Sequence, residues 1–207
     1  MRAANAKATR TEKIVFLGAQ STGKTAIVTR FQYDTFTPNS NSTIGAAFVS
    51  KDLNVDGTVI KLDIWDTAGS EKYKSLTPMY YRDARAAIIV LDVTRPETIQ
   101  AAGEWISELR EHGKSDCMLI CAANKCDLTG ERKVTSQEVQ DFVFANQISA
   151  YKETSALNGE GIKELFNEIG KLLLTLPAVE SQEDAEIAGL VGDLDTSAKP
   201  PQKTGCC

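Results

Sequence analysis

The sequence predicts an α/β fold: a doubly wound, mostly parallel six-stranded sheet with one antiparallel edge strand and helices on both faces. Three observations carry that prediction. The apolar run from Ile14 to Leu17 opens directly into Gly18-Ala19-Gln20-Ser21-Thr22-Gly23-Lys24-Thr25, a complete G-x-x-x-x-G-K-[ST] string. Continuous apolar runs recur at 86–93 and 117–123, as parallel strands covered on both faces require. Amphipathic helical patterns alternate with these runs.

Each element follows in order. The glycine string leads from the first strand into a helix over 24–32. Asp56-Gly57 is a hairpin signal joining strands at 48–55 and 58–66. On the second of these, Ile60, Leu62 and Ile64 share one face and Lys61, Asp63 and Trp65 the other. On the first, Val49, Leu53 and Val55 oppose Phe48, Ser50, Asp52 and Asn54. Phe48 and Trp65 therefore fall on the polar side, either as a contact surface or packed under a neighbouring loop. After Pro96, Ile99, Ala102, Ile106 and Leu109 form one helical stripe, ending near Gly113 with His112 on the surface. A strand near 151–154 precedes a second stripe, Ile162, Leu165, Phe166, Ile169, Leu172 and Leu173. The expected organisation is a disordered leader over 1–11, one domain over 12–176 and a disordered acidic tail over 177–207.

Composition excludes several functions. A net charge of −5 with no basic stripe argues against nucleic-acid binding. No apolar run approaches the ~18 residues of a membrane-spanning helix. The first residues lack the apolar core of a secretory signal. Cys117 and Cys121 lie about 13 Å apart along one strand, at ~3.3 Å per residue, too far for a disulfide or a shared metal. With no Cys-x-x-Cys, a zinc site is not expected and a reducing cytosolic setting fits.

The motifs specify the chemistry. Glycines at 18 and 23 let backbone N–H groups of residues 20–26, Gln20, Ser21, Thr22 and Ala26 included, converge on phosphates at a helix N-terminus. Lys24 would bridge β- and γ-phosphate oxygens, and the Thr25 hydroxyl would bind Mg²⁺. Asp66 ends a strand within Trp65-Asp66-Thr67-Ala68-Gly69 and would hold Mg²⁺ through water, while Gly69 would offer its N–H to the γ-phosphate. Downstream, Asn124-Lys125-Cys126-Asp127 follows an apolar run. The Asp127 carboxylate matches guanine N1–H and its exocyclic amine but would face adenine unpaired, a mismatch that rejects a ligand by roughly 10⁴–10⁵. Asn124 would tie this loop to the phosphate loop, the Lys125 stem would stack on the base, and Ser155-Ala156-Leu157 would cover it from the other side. Bound GTP or GDP with Mg²⁺ is thus expected. An ATP-dependent kinase or ATPase shares only the phosphate loop.

These residues resemble the Ras superfamily of small GTPases, and within it the Rab family, over about 12–176 and the last two residues. The stretches 42–48 and 75–82 are similar to the switch regions of the early-endosomal Rab branch, whereas the phosphate-loop string at 18–25 together with 29–34 is similar to a Golgi branch; the endosomal resemblance is the one favoured. The resemblance implies that Thr43 adds its hydroxyl to Mg²⁺, that Phe36 packs against guanine, and that Ile44, Phe48, Trp65 and Tyr80 meet effectors. It implies a monomer that cycles between the cytosol and the cytoplasmic face of endomembranes. The implied partners are an exchange factor, a Rab GAP, a GDP dissociation inhibitor, and an escort protein with geranylgeranyl transferase. Gly205-Cys206-Cys207 does not fit C-a-a-X but matches the Rab ending, which carries two prenyl groups. Two lipids are reasonable where the tail supplies no polybasic patch.

Departures from the family pattern are equally legible. Ser70 stands where the water-orienting Gln is usual, too short to reach the same place, so slow intrinsic hydrolysis is expected. Gln20 brings a long side chain near the γ-phosphate, and Leu157 replaces a usual Lys beside guanine. An active GTPase and a GTP-loaded binding module both fit these features.

Overall fold

The computed structural model describes residues 10–38, 43–69 and 77–178. Along them run β1 (Arg10–Leu17), α1 (Lys24–Tyr33), β2 (Ala46–Val55), β3 (Thr58–Thr67), α2 (Thr77–Tyr81), β4 (Ala86–Asp92), α3 (Glu97–His112), β5 (Met118–Asn124), α4 (Ser136–Ala145), β6 (Ala150–Thr154) and α5 (Ile162–Thr175). The six strands form one sheet in the order β2-β3-β1-β4-β5-β6. The edge strand β2 runs antiparallel to β3, and the other pairs are parallel. This is the architecture that the alternating pattern predicted.

Period-two alternation distributes the strands between two cores. Ile14 and Phe16 of β1 join Ile60, Leu62 and Ile64 of β3 in a cluster closed by Ile27 of α1 and Leu165, Phe166 and Ile169 of α5. Val15 and Leu17 point the other way, into a cluster closed by Tyr81 of α2, Trp105 and Ile106 of α3, and Val139 and Phe142 of α4. Phe31 and Phe166 stack at 3.5 Å between ring centroids and seal α1 onto α5. Lys51 shares the apolar face of β2, and it does so by capping a helix. Its Nζ donates to the Gln32 carbonyl at 3.1 Å and lies 4.4 Å from the Phe31 ring centroid, so the charge ends at the open carbonyls of α1.

The first strand starts earlier than expected. Arg10 and Thr11, assigned by sequence to the leader, pair in register with Ile60 and Lys61. The Arg10 guanidinium donates to the carbonyls of Leu173 and Leu176 at the end of α5, at 2.6 and 2.9 Å, and pairs with buried Glu12. A basic residue near the terminus thus anchors the strand. The helix α4 was not foreseen, although Thr135 and Glu138 form a complete capping box at its start. Residues 1–9 and most of the expected tail lie outside the described residues.

Because β1, β3, β4, β5 and β6 are mutually parallel, their carboxyl ends open on one edge of the sheet. Phe16 pairs with Asp66, Asp92 with Asn124, and Asn124 with Thr154. In open α/β sheets ligands bind in the crevice outside these ends.

Candidate functional site

A cavity of about 500 Å³ lies at these carboxyl ends, within the size range of small-molecule sites. From the motifs it gathers Gln20, Ser21, Gly23, Lys24, Thr25, Ala26, Phe36, Thr43, Gly69, Asn124, Lys125, Asp127, Ala156 and Leu157. Gly18, Thr22 and Ser155 stand behind the lining. Gly18 supplies its carbonyl to Lys24 Nζ at 2.8 Å. Thr22 is buried and supplies its carbonyl to Asn124. The Ser155 hydroxyl accepts the Asn158 N–H at 3.2 Å, shaping the loop and not the cavity wall. Ser70, Cys206 and Cys207 lie outside the described residues.

At one end the chain leaves β1 in a tight loop and enters α1. Gly23, the residue before the helix, has φ +98°, and a Cβ there would sit 2.2 Å from Asn124 Nδ2. Only glycine fits. No side chain caps this helix and its first turn holds no acid, so its leading N–H groups and positive dipole end are left for an anion. Lys24 Nζ also donates to the Ala19 carbonyl at 2.9 Å. Burial draws its amine down to about 8, with Asp66 opposing the shift.

Beside Lys24 the Thr25 hydroxyl donates to Asp66 Oδ2 at 2.6 Å and lies 2.8 Å from the Thr43 hydroxyl. Asp66 is almost fully buried, and among the described residues its Oδ1 has no hydrogen-bond partner. Burial pushes this carboxyl above its ordinary range, and the Thr25 bond and Lys24 charge recover part of the shift. Two hydroxyls and a carboxylate oxygen with an idle lone pair suit a hard divalent cation such as Mg²⁺. Among the described residues no cluster of three or more His, Cys, Asp or Glu could hold another metal. Gly69 closes this end. A Cβ on it would lie 2.5 Å from both Lys24 Nζ and the Ala19 carbonyl carbon.

The other end is built by the loops after β5 and β6. Asn124 is 2% exposed. Its Nδ2 donates to the Thr22 carbonyl at 2.9 Å, and its Oδ1 accepts from the Ala156 N–H and the Thr154 hydroxyl at 3.3 Å each. One amide therefore joins three loops. Lys125 takes the left-handed conformation at φ 68°, and Asp127 follows it into the lining. Cys126 is buried as a free thiol pushed up to about 11, first by burial and then by nearby carboxylates.

Two functional residues escaped the motif reading. Asp92, wholly buried at the end of β4, accepts from Lys125 Nζ at 2.6 Å, Arg95 Nε at 2.9 Å, and the Thr94 N–H and hydroxyl at 3.0 and 2.6 Å. Burial pushes its carboxyl up, but these donors together hold it below the ordinary range. Arg95 Nη2 then donates to the Gln20 carbonyl at 2.9 Å, linking Asp92 to the phosphate loop. The signal was a buried acid closing an apolar strand. Its partners lie too far along the chain to mark it.

The expected effector residues divide. Phe48 and Trp65 face each other across β2 and β3 with centroids 5.4 Å apart, and Trp65 stacks on Tyr80 at 5.4 Å. Trp65 and Tyr80 pack partly against the second core, whereas Phe48 is 53% and Ile44 79% exposed. Met79, next to Tyr80 in the chain, is also exposed.

The Ras family model matches residues 13–175. The chain is similar to Ras-related protein Rab-22A of Mus musculus, 46% identical over 79% of this chain and 84% of that protein. It is equally similar to putative ras-related protein Rab-5B of Dictyostelium discoideum, 46% identical over 78% and 75%. Ras-related protein Rab5 of Nicotiana tabacum is 40% identical over 94% of both chains.

Replacing Arg95 with Met removes one of the two cations on buried Asp92 and the tie to the Gln20 carbonyl. Urea unfolding is expected to show a loss of about 1–2 kcal/mol. A change within about 0.3 kcal/mol would mean the link carries no stability.

Proposed function

This chain belongs to the Ras family, as a GTP-hydrolysing small GTPase of the Rab group, and from that premise we propose that it is a two-state switch on intracellular membranes. The observation that carries the reading is one cavity with Lys24, Thr25 and Thr43 at one end, buried Asp66 accepting from the Thr25 hydroxyl behind them, and Asp127 at the other, joined by Asn124. A purine nucleoside triphosphate has that layout. Lys24 and the N-terminus of α1 hold its phosphates. Thr25, Thr43 and Asp66 hold Mg²⁺, which when bound offsets the charge on the phosphate oxygens. Asp127 reads the guanine edge, with Lys125, Phe36, Ala156 and Leu157 around the base.

Thr43 and Gly69 both line the end of the cavity that holds Thr25 and Lys24. Loss of the γ-phosphate removes what both segments share, and the exposed apolar side chains Ile44 and Phe48 beside the first segment lose their fixed placement. Effectors of vesicle traffic read this surface in the GTP state. An exchange factor and a GAP set the state, and a GDP dissociation inhibitor returns the protein to the cytosol. The compartment is the endosome, a reading supported by the residues at 42–48 and 75–82 and by relatives named Rab-22A and Rab5. Residues 177–207 serve as an acidic tether. An escort protein and geranylgeranyl transferase load two prenyl groups on Cys206 and Cys207, because one chain holds a protein only marginally.

Ser70 makes the intrinsic reaction slow, since its hydroxyl is too short to orient water as a Gln does. The same residue favours a second reading, a module that stays GTP-loaded. Single-turnover hydrolysis separates them. Ser70→Gln is expected to speed the GAP-free reaction about tenfold or more, and equal rates would remove Ser70 as the cause. A GAP that restores turnover to the wild-type protein supports the switch, and no stimulation by any Rab GAP supports the module.

Vesicle pelleting of protein from a prenylating host tests the tether. The wild type is expected in the pellet and Cys206→Ser/Cys207→Ser in the supernatant, with the single variants between. Equal pelleting of all four would rule out the lipid anchor.

A further inference from the structure

We propose that Arg30 is a positioning residue that couples the base-covering loop to the start of the first switch segment, and so governs how long nucleotide is retained. The inference rests on the nucleotide reading of the cavity given above.

Arg30 sits in the last turn of α1 and is not itself one of the residues lining the cavity. Its side chain is only 15% exposed, unusual burial for a surface-helix arginine. The guanidinium reaches two ways. Nε donates to the Ala156 carbonyl at 2.9 Å and Nη2 to the Leu157 carbonyl at 2.5 Å. Nη1 donates to the Asp34 carbonyl at 2.8 Å and to its carboxylate at 3.2 Å. Each side of this fork meets backbone next to the site. Ala156 and Leu157 line the cavity, and so do Phe36 and Thr37, just beyond Asp34.

Both anchored segments need an external hold. Asp34 leaves α1 in the left-handed region at φ 55°, a conformation costly for a residue other than glycine. Arg30 stabilises it from both directions, since the Arg30 carbonyl also accepts the Asp34 N–H at 2.9 Å. On the other side, Leu157 has an apolar side chain that is half exposed and can fix nothing by hydrogen bonding. The position of its loop therefore depends on its backbone, and Arg30 grips two successive carbonyls there. A planar fork can hold both at fixed spacing, whereas a lysine ammonium is a point donor that cannot. The loop at 156–157 and the backbone at Asp34 thus share one rigid tie.

Stopped-flow release of a fluorescent GDP from Mg²⁺-loaded protein tests this directly. Arg30→Ala is expected to release GDP about tenfold faster, with Arg30→Lys at about threefold, because hydrogen bonds from a charged fork are lost wholly or in part. Hydrogen exchange in the GDP-loaded Arg30→Ala protein is expected to rise at 34–38 and 156–159 together, while 18–25 stays protected. Acceleration in only one of those two segments would overturn the coupling. If Arg30→Ala fails to fold, Arg30→Lys decides the matter, and release at the wild-type rate overturns the proposal. Wild-type protein that retains no guanine nucleotide overturns the nucleotide reading, and this inference with it. Wild-type protein that retains GDP while the variants release it no faster overturns the inference alone.

Discussion

One buried side-chain amide sets the geometry on which the site depends. Asn124 reaches from the end of β5 to the Thr22 carbonyl in the phosphate loop and to the Ala156 N–H in the loop after β6. Without it the loops after β1 and β5 would be separate features of strands that β4 keeps apart. A buried amide left unpaired is costly, so the three loops keep one spacing or the fold loses the bond. Gly23 is the complement of this constraint, since the amide occupies the space a Cβ would need. The two motifs, distant in sequence, are thus one mechanical unit.

The site also separates rigid from responsive parts. Lys24, Thr25, Asp66, Asp92 and Asn124 are held by strand ends and hydrogen bonds to neighbouring loops. Thr43 and Gly69 come from connecting segments and meet the rigid set at the phosphate end. A ligand that spans both adds contacts to the segments without moving the frame. The patch next to these segments follows the same division. Trp65 is braced by Tyr80 and by the second core, while Phe48 and Ile44 remain open to solvent. A half-anchored apolar surface fits a partner that reads the ligand state.

Much of this was legible in the sequence because the chemistry is local. A phosphate loop needs glycine where the backbone bends and a lysine and hydroxyl at fixed offsets, so 18–25 announces itself. Strand parity placed Ile60, Leu62 and Ile64 inside and Trp65 opposite, and the sheet agrees. What stayed hidden depends on partners far along the chain. Arg95 finds the Gln20 carbonyl 75 residues away, and Arg30 finds Ala156 126 residues away. Nothing near either arginine marks it. Arg10 read as part of a leader because its acceptors, the open carbonyls of α5, exist only once that helix has folded beside β1. The start of α4, by contrast, is marked locally, by the capping box that Thr135 and Glu138 form three residues apart. For Phe48 and Trp65 parity gave the face but not the covering, because only Trp65 meets Tyr80 and the second core.

On the function proposed above, one cavity selects a guanine nucleotide by pairing Asp127 with its base edge while the phosphate loop holds its other end. Calorimetry on nucleotide-stripped protein in Mg²⁺, titrated with GDP and separately with ADP, tests it most directly. Tight binding of GDP is expected, with affinity for ADP weaker by roughly 10⁴-fold. Comparable affinity for the two, or no binding of GDP at all, would contradict it.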